Sequence, residues 1–301
     1  MTKLPPLFGC LVALAFGPVA AEPSSPRIID DLQLMRQMRA GLGELADAKK
    51  GMNAKQLQEA VQKAPGSVSI TLNAPSATNQ DAPHDDLIGS VAVLSSVYKC
   101  GKCDKWHLGG SATAWCLTAD GIFVTNHHVF EAARGDLSGI CTVDGRVAAV
   151  KEILASDRAA DVCLFRVDGE GFRPLPMGAP TPVGTKVRVI SHPEGRFFFQ
   201  TSGEVARYHR RPARAKQAPS TWMSITADFA RGSSGGPVVD SAGRVVGMVS
   251  STQSIYYESS GKEPKGPLQM VVKNCVPVAA IRNLVKAGKP EDQPEPSSVA
   301  E

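Results

Sequence analysis

The chain has 301 residues, of which 43% are hydrophobic and 21% charged, with a formal net charge of +4. That balance allows one large domain or two modest ones with an ordinary core. The charge is too small to make nucleic acid or a membrane surface the main partner.

The first residues have the order of a signal peptide over 1–21. Lys3 supplies the positive start, Leu7 to Val19 the apolar run, and Val19-Ala20-Ala21 the small residues before a cut. The run is short for a membrane span and contains Gly17-Pro18. Cys10 stands ahead of most of it, so a lipid anchor is set aside, and the expected location is periplasmic or secreted with no stable membrane anchor after removal of the signal.

Residues 22–86 read as a helical segment and a linker. Ile28, Leu32, Met35 and Met38 recur at helical spacing, as do Leu57 and Val61. Asn53 with Gln56 three residues later has the spacing of a capping box. Pro65 to Asp86 is rich in Pro, Ser, Asn and Asp, the composition of a linker. Nothing in the pattern decides whether this segment is a pro-segment, a packing arm, an oligomerisation element or a solvated appendage.

From Leu87 the texture changes to short apolar runs separated by Gly, Asp-Gly and Pro. They include Ser90–Val97, Ala112–Leu117, Ile122–Thr125, Val147–Leu154, Val162–Val167 and Lys186–Ile190. Further runs are Ser202–Ala206, Thr221–Thr226, Val238–Val239, Val245–Ser250 and Leu268–Val272. Many short strands at such spacing predict an all-β fold over 87–287. A closing helix is expected after Pro277, with Ala279, Ile281, Leu284 and Val285 on one face. The Pro, Glu and Ser content of 288–301 predicts a disordered tail.

Six cysteines remain once the signal is gone: Cys100, Cys103, Cys116, Cys141, Cys163 and Cys275. In an oxidising compartment an even count predicts disulfides, at least two here, with Cys100–Cys103 the nearest pair in sequence. Cys100, Cys103 and His107 supply three candidate zinc ligands. A full site needs four, and no second Cys-x-x-Cys or His pair follows, so the expectation is no metal and no cofactor. The basic stretch Arg207 to Lys216 reads as a solvated loop.

Three motifs carry chemistry. Gly232-Ser233-Ser234-Gly235-Gly236-Pro237 places a hydroxyl between glycines, which let the backbone turn sharply and gather N–H groups at one spot. Gly232 and Ser234 are then the candidate oxyanion donors. Thr125-Asn126-His127-His128-Val129 ends an apolar run, and Ala160-Asp161-Val162 opens another. The order His, Asp, Ser is that of one known triad arrangement. His127 is the rival base, Asp157 the rival acid and Ser233 the rival nucleophile.

With these residues the chain resembles the trypsin/chymotrypsin superfamily, and within it the bacterial HtrA-like branch, over about Leu87 to Lys286. The resemblance implies two six-stranded antiparallel β-barrels with a C-terminal helix, and a serine endopeptidase acting on polypeptide substrates. It assigns His128 as base, Asp161 as its orienting carboxylate and Ser234 as nucleophile. Val246-Gly247-Met248-Val249-Ser250 resembles the superfamily's cleft strand. It implies that the Ser250 hydroxyl supports Asp161 and that Ser250, Ser251 and Thr252 pair with extended substrate. Asp228, six residues before Ser234, stands where trypsin places its pocket carboxylate. Thr252, where trypsin has glycine, favours a small apolar pocket instead. The sequence departs from the pattern at Ser233, at Arg231 and in showing no PDZ-like module after the domain.

Overall fold

In a computed structural model of the chain, which describes residues 26–72, 81–211, 219–258 and 265–287, two helices precede the strands. Helix α1 (Asp31–Asp47) is capped by Asp30, whose carboxylate accepts from Gln33 N–H at 2.8 Å. Its buried stripe is Leu34, Met38 and Leu42, while Ile28 and Leu32 are exposed. The expected apolar face was therefore assigned to the wrong side at its start. Helix α2 (Ala54–Lys63) opens with the capping box that Asn53 and Gln56 suggested, with reciprocal bonds of 2.9 and 3.0 Å.

Neither helix is an appendage. Leu34, Met38 and Leu42 join a core with Val93, Val97, Leu137 and Cys141, and Leu57 and Val61 join one with Phe130 and Phe165. Burying a side chain of the size of Leu57 stabilises by about 1.5–3 kcal/mol. The presumed linker also contains structure: strand β1 (Val68–Ile70) and the short helix α3 (His84–Ile88). The signal peptide at 1–21 and the tail at 288–301 lie outside the described residues.

The first barrel is built from β2 (Val91–Lys99), β3 (Trp106–Leu108), β4 (Ala112–Cys116), β5 (Ile122–Thr125), β6 (Leu137–Thr142), β7 (Val147–Asp157) and β8 (Val162–Val167). A helix, α4 (His127–Glu131), lies between β5 and β6. Neighbours run β2-β4-β5-β8-β7-β6, and pairing of β2 with β6 closes the ring, for example Val93 opposite Cys141. Strand β3 is an addition to the expected six, paired to the end of β2 as Val97–Leu108 and Lys99–Trp106. Strands β3 and β6 have no counterpart among the apolar runs; Ser138-Gly139 interrupts the apolar signal of β6.

The second barrel closes in the order β10-β11-β14-β13-β12-β9. Its strands are β9 (Lys186–Ser191), β10 (Phe199–Arg211), β11 (Ser220–Ile225), β12 (Pro237–Val239), β13 (Val245–Glu258) and β14 (Lys265–Pro277). Val189, Val205, Met223, Val238 and Cys275 fill it. The chain closes with α5 (Val278–Leu284), burying Val278, Ile281 and Leu284, while Ala279 is exposed. Strand β15 (Val285–Ala287) then pairs in parallel with β1. The basic stretch is partly β10, where Arg211 lies over the Trp222 ring; residues 212–216 lie outside the described residues.

The disulfide expectation is not met: all six cysteines are free. Cys116, Cys141, Cys163 and Cys275 are each packed inside a barrel core. Burial pushes the thiols of Cys116 and Cys141 up to about 12 and also raises those of Cys163 and Cys275, so these residues act as small apolar side chains.

Candidate active site

The site lies where the two barrels face each other. Strand β5 ends at Thr125, and Asn126 in extended backbone opens α4. The alternation of a strand therefore does not separate His127 from His128; a helix does, turning successive side chains by about 100°. His127 is buried and its Nδ1 lies 2.8 Å from Ser156 Oγ. That hydroxyl donates to the Val162 carbonyl at 3.1 Å, so it accepts from the imidazole. Burial holds the His127 pKa below its ordinary value.

His128 faces the cleft. Its Nδ1 is 2.9 Å from Asp161 Oδ2 and 3.0 Å from Oδ1, and its Nε2 is 3.1 Å from Ser234 Oγ. The carboxylate acts as acceptor, which places the proton on Nδ1 and leaves Nε2 as the lone-pair atom facing the serine. Burial pushes the His128 pKa down. The Asp161 hydrogen bond and charge, with Glu131, outweigh that, and the net direction is up.

Asp161 is held from four sides. It accepts from His128 N–H at 3.1 Å and from Ser250 Oγ at 2.5 Å, besides the imidazole. Its own carbonyl accepts from Asn126 Nδ2 at 3.0 Å. The residue is buried with φ of +62°, a conformation that a non-glycine residue adopts only when its surroundings impose it. Asp157, the rival acid, instead accepts from Ala159 and Ala160 N–H at 2.8 and 3.0 Å and shapes the turn that delivers Asp161.

Ser234 sits in a loop of the second barrel held by close contact with the first. Thr113 N–H donates to the Ser234 carbonyl at 2.8 Å, and Thr113 Oγ1 to the Gly232 carbonyl at 3.0 Å. At Gly235 (φ +87°) a Cβ would stand 2.0 Å from the Thr113 carbonyl oxygen and 2.4 Å from Thr125 Oγ1, so only glycine fits. Ser233, the rival nucleophile, is fully buried, and its hydroxyl accepts from Ser191 Oγ at 2.9 Å. Thr113 carries no motif of its own, and Asn126 stands within the Thr125–Val129 motif without a role for its side chain being apparent from sequence.

The Arg231 carbonyl accepts from Glu194 N–H at 2.8 Å. In a trans peptide the N–H opposes the carbonyl, so Gly232 N–H points away from Glu194. Asp228 is exposed, and its carboxylate is 3.0 Å from Lys273 Nζ, which also donates to the Phe229 carbonyl at 2.7 Å. It is not the buried, unpaired carboxylate that a trypsin-type pocket floor requires. Ser251 and Thr252 are exposed on β13, paired to Asn274 and Lys273 of β14 after a bulge at Ser250. Next to His128 and Ser234 opens a cleft of about 880 Å³, walled by Tyr98, Leu108, Gly110 and Arg134.

The family description that matches the chain is the trypsin-like peptidase domain, over residues 112–248. Among curated proteins, the chain is 32% identical to chloroplastic Protease Do-like 1 of Arabidopsis thaliana over 161 residues, half of this chain and 35% of that one. It is 24% identical to the Serine protease Do-like HtrA of Lactobacillus helveticus over 226 residues, 73% of this chain and 53% of that one. These matches span about a third to a half of the relatives' length. Among solved structures, the HtrA-type protease AlgW with a decapeptide superposes with a TM-score of 0.53 at 19% identity, covering 67% of this chain and 66% of that one. This last likeness bears on the fold.

Proposed function

We propose, from the premise that residues 112–248 are a trypsin-like peptidase domain similar to those of HtrA-like serine proteases, that the chain is a serine endopeptidase acting through an acyl-enzyme. The observation that carries the reading is the hydrogen-bonded line from Asp161 through His128 to Ser234 Oγ. In the proposed mechanism Ser234 Oγ attacks the substrate carbonyl carbon while its proton passes to His128 Nε2. Asp161 fixes the tautomer and stabilises the imidazolium. The leaving amine takes that proton as the C–N bond breaks. A water then attacks the acyl carbon, giving its proton to His128, and Ser234 leaves with a proton returned from the imidazolium.

Gly232 and Ser234 N–H are the proposed oxyanion donors, each worth a few kcal/mol in the transition state. The orientation of the Arg231–Gly232 peptide supports this. Past Val249, β13 is paired to β14 on one edge, which supports docking of an extended substrate along Ser250–Thr252 by strand addition. The Asp228–Lys273 ion pair supports a pocket for small apolar side chains over one for Arg or Lys. Chromogenic peptides ending in Val should turn over faster than those ending in Arg. A tenfold preference for Arg, lost in Asp228→Ala, would reverse that assignment.

The apolar run at 7–19 supports export to the periplasm or beyond, with Glu22 as the first mature residue. Among the described residues no helix is long and apolar enough to cross a membrane. N-terminal sequencing of the exported protein checks this. For the reaction itself, a fluorophosphonate probe should label the wild type and not Ser234→Ala. Absence of labelling in the wild type would leave a protease-like binding protein as the better account.

A further inference from the structure

The turn joining β2 to β3 carries a cluster that peptide hydrolysis does not use. Cys100 Sγ and Cys103 Sγ are 3.5 Å apart, and Cys103 Sγ is 3.2 Å from His107 Nε2. All three ligand atoms lie within 4.8 Å of one another. The sulfurs are too far apart for a covalent bond, which needs about 2.0 Å. Around a tetrahedral zinc ion, bond lengths of about 2.3 Å to sulfur and 2.0–2.1 Å to nitrogen place S···S at about 3.8 Å and S···N at about 3.6 Å. The observed separations fall a few tenths of an ångström short of both.

We infer that Cys100, Cys103 and His107 form a binding site for one thiophilic divalent cation of the zinc type, with a solvent molecule completing the tetrahedron. Sequence spacing offered these three ligands and no fourth; the exposure of Cys103 supplies one, because water reaches the remaining position. Two thiolates and a neutral imidazole balance the charge of the cation. The other four cysteines cannot compete, since each is sealed in a barrel core.

Contacts on both sides brace the frame of the site. Lys99 N–H donates to Asp136 Oδ2 at 2.9 Å, Trp106 Nε1 to Asp47 Oδ2 of α1 at 3.2 Å, and the Lys99 ammonium lies 4.3 Å from the centre of the Trp106 ring. The His107 ring packs against Tyr98, with centroids 5.5 Å apart. Tyr98 and Leu108 wall the cleft beside His128 and Ser234. A bound cation therefore ties the tip of the hairpin to the wall of the cleft. Binding itself does not depend on the catalytic reading.

The test uses the full chain, purified anaerobically, stripped with chelator and titrated with cobalt(II). The expected result is one equivalent bound with a thiolate-to-cobalt charge-transfer absorption, displaced by zinc. Cys103→Ser should abolish the absorption, and His107→Ala should weaken binding by at least about tenfold, in line with losses seen when metal-site groups are removed. Bound zinc should also slow amide exchange over residues 99–106. Wild type without the absorption would overturn the proposal, as would a signal unchanged in Cys103→Ser. So would protein isolated from its own compartment with a Cys100–Cys103 disulfide and no metal.

Discussion

In the first barrel, His128 sits on a five-residue helix whose outer side is covered by α2, whereas in the second, Ser234 sits in a loop pinned by backbone contact. Leu57 and Val61 of α2 pack with Phe130 of α4, and Gln58 Nε2 donates to the Ala133 carbonyl at 2.9 Å just beyond it. In the second barrel α5 packs against β13 and β14, and these strands run on into an arm exposing Ile255, Tyr257, Leu268 and Met270. A helix as short as α4 cannot hold itself. It needs a neighbour to bury its apolar side, while a glycine loop needs only the space that Thr113 and Thr125 leave. His128 and Ser234 are thus positioned by different kinds of contact, and different changes should disturb them.

The largest expected effect is at the loop. Ser234→Ala should reduce peptide hydrolysis by roughly 10⁶-fold, the scale at which members of such a unit fail singly. Unfolding midpoints should hardly move, because the lost atom faces a cleft; a large drop in stability would mean that the loop depends on the hydroxyl. Asp161→Asn should lower kcat by about 10⁴-fold, since the imidazole loses its proper tautomer and partner. The pH profile sharpens this point. The raised pKa of His128 means that protonation removes the base as pH falls, with a midpoint above the ordinary 6.5. Removing the Asp161 charge leaves burial to dominate, so the residual activity of the Asn variant should have its acid limb at lower pH.

The cover over α4 is tested by Leu57→Ala, which should destabilise by about 2–5 kcal/mol in a denaturant titration, because a fully buried leucine leaves a cavity. Activity at permissive temperature should fall with the folded fraction. If stability is unchanged, α2 does not buttress the first barrel. At the bare arm, Tyr257→Ser should change stability by less than about 0.5 kcal/mol, as expected for an exposed side chain. A larger loss there would show that the arm is as tightly built into its barrel as α2 is into the first.

Much of this organisation was legible because it is local. The Asn53–Gln56 box, the short strands, and the Gly-Gly-Pro run after Ser234 each depend on neighbours in sequence. The motif order also named His128, Asp161 and Ser234, and the folded chain brings their side chains within hydrogen-bonding distance. The helix that carries His128 was not legible, because its five residues are too few to show a helical period.

What the sequence determined by itself is therefore the β texture, the three candidate site residues and the turn chemistry around them, all set by patterns a few residues long. Only the tertiary structure decided that the N-terminal helices belong to the first barrel's core, that four cysteines stay buried as separate thiols, and that Asp228 pairs with Lys273 at the surface. It also brought the ligand atoms of Cys100, Cys103 and His107 together. Helix packing, thiol burial and the Asp228 ion pair join residues distant along the chain. Composition and spacing do not constrain these, because burial and pairing depend on which surfaces the closed barrels leave within reach. The cysteine–histidine cluster was legible from spacing, and the bend of the turn is what brings its ligand atoms within 4.8 Å of one another.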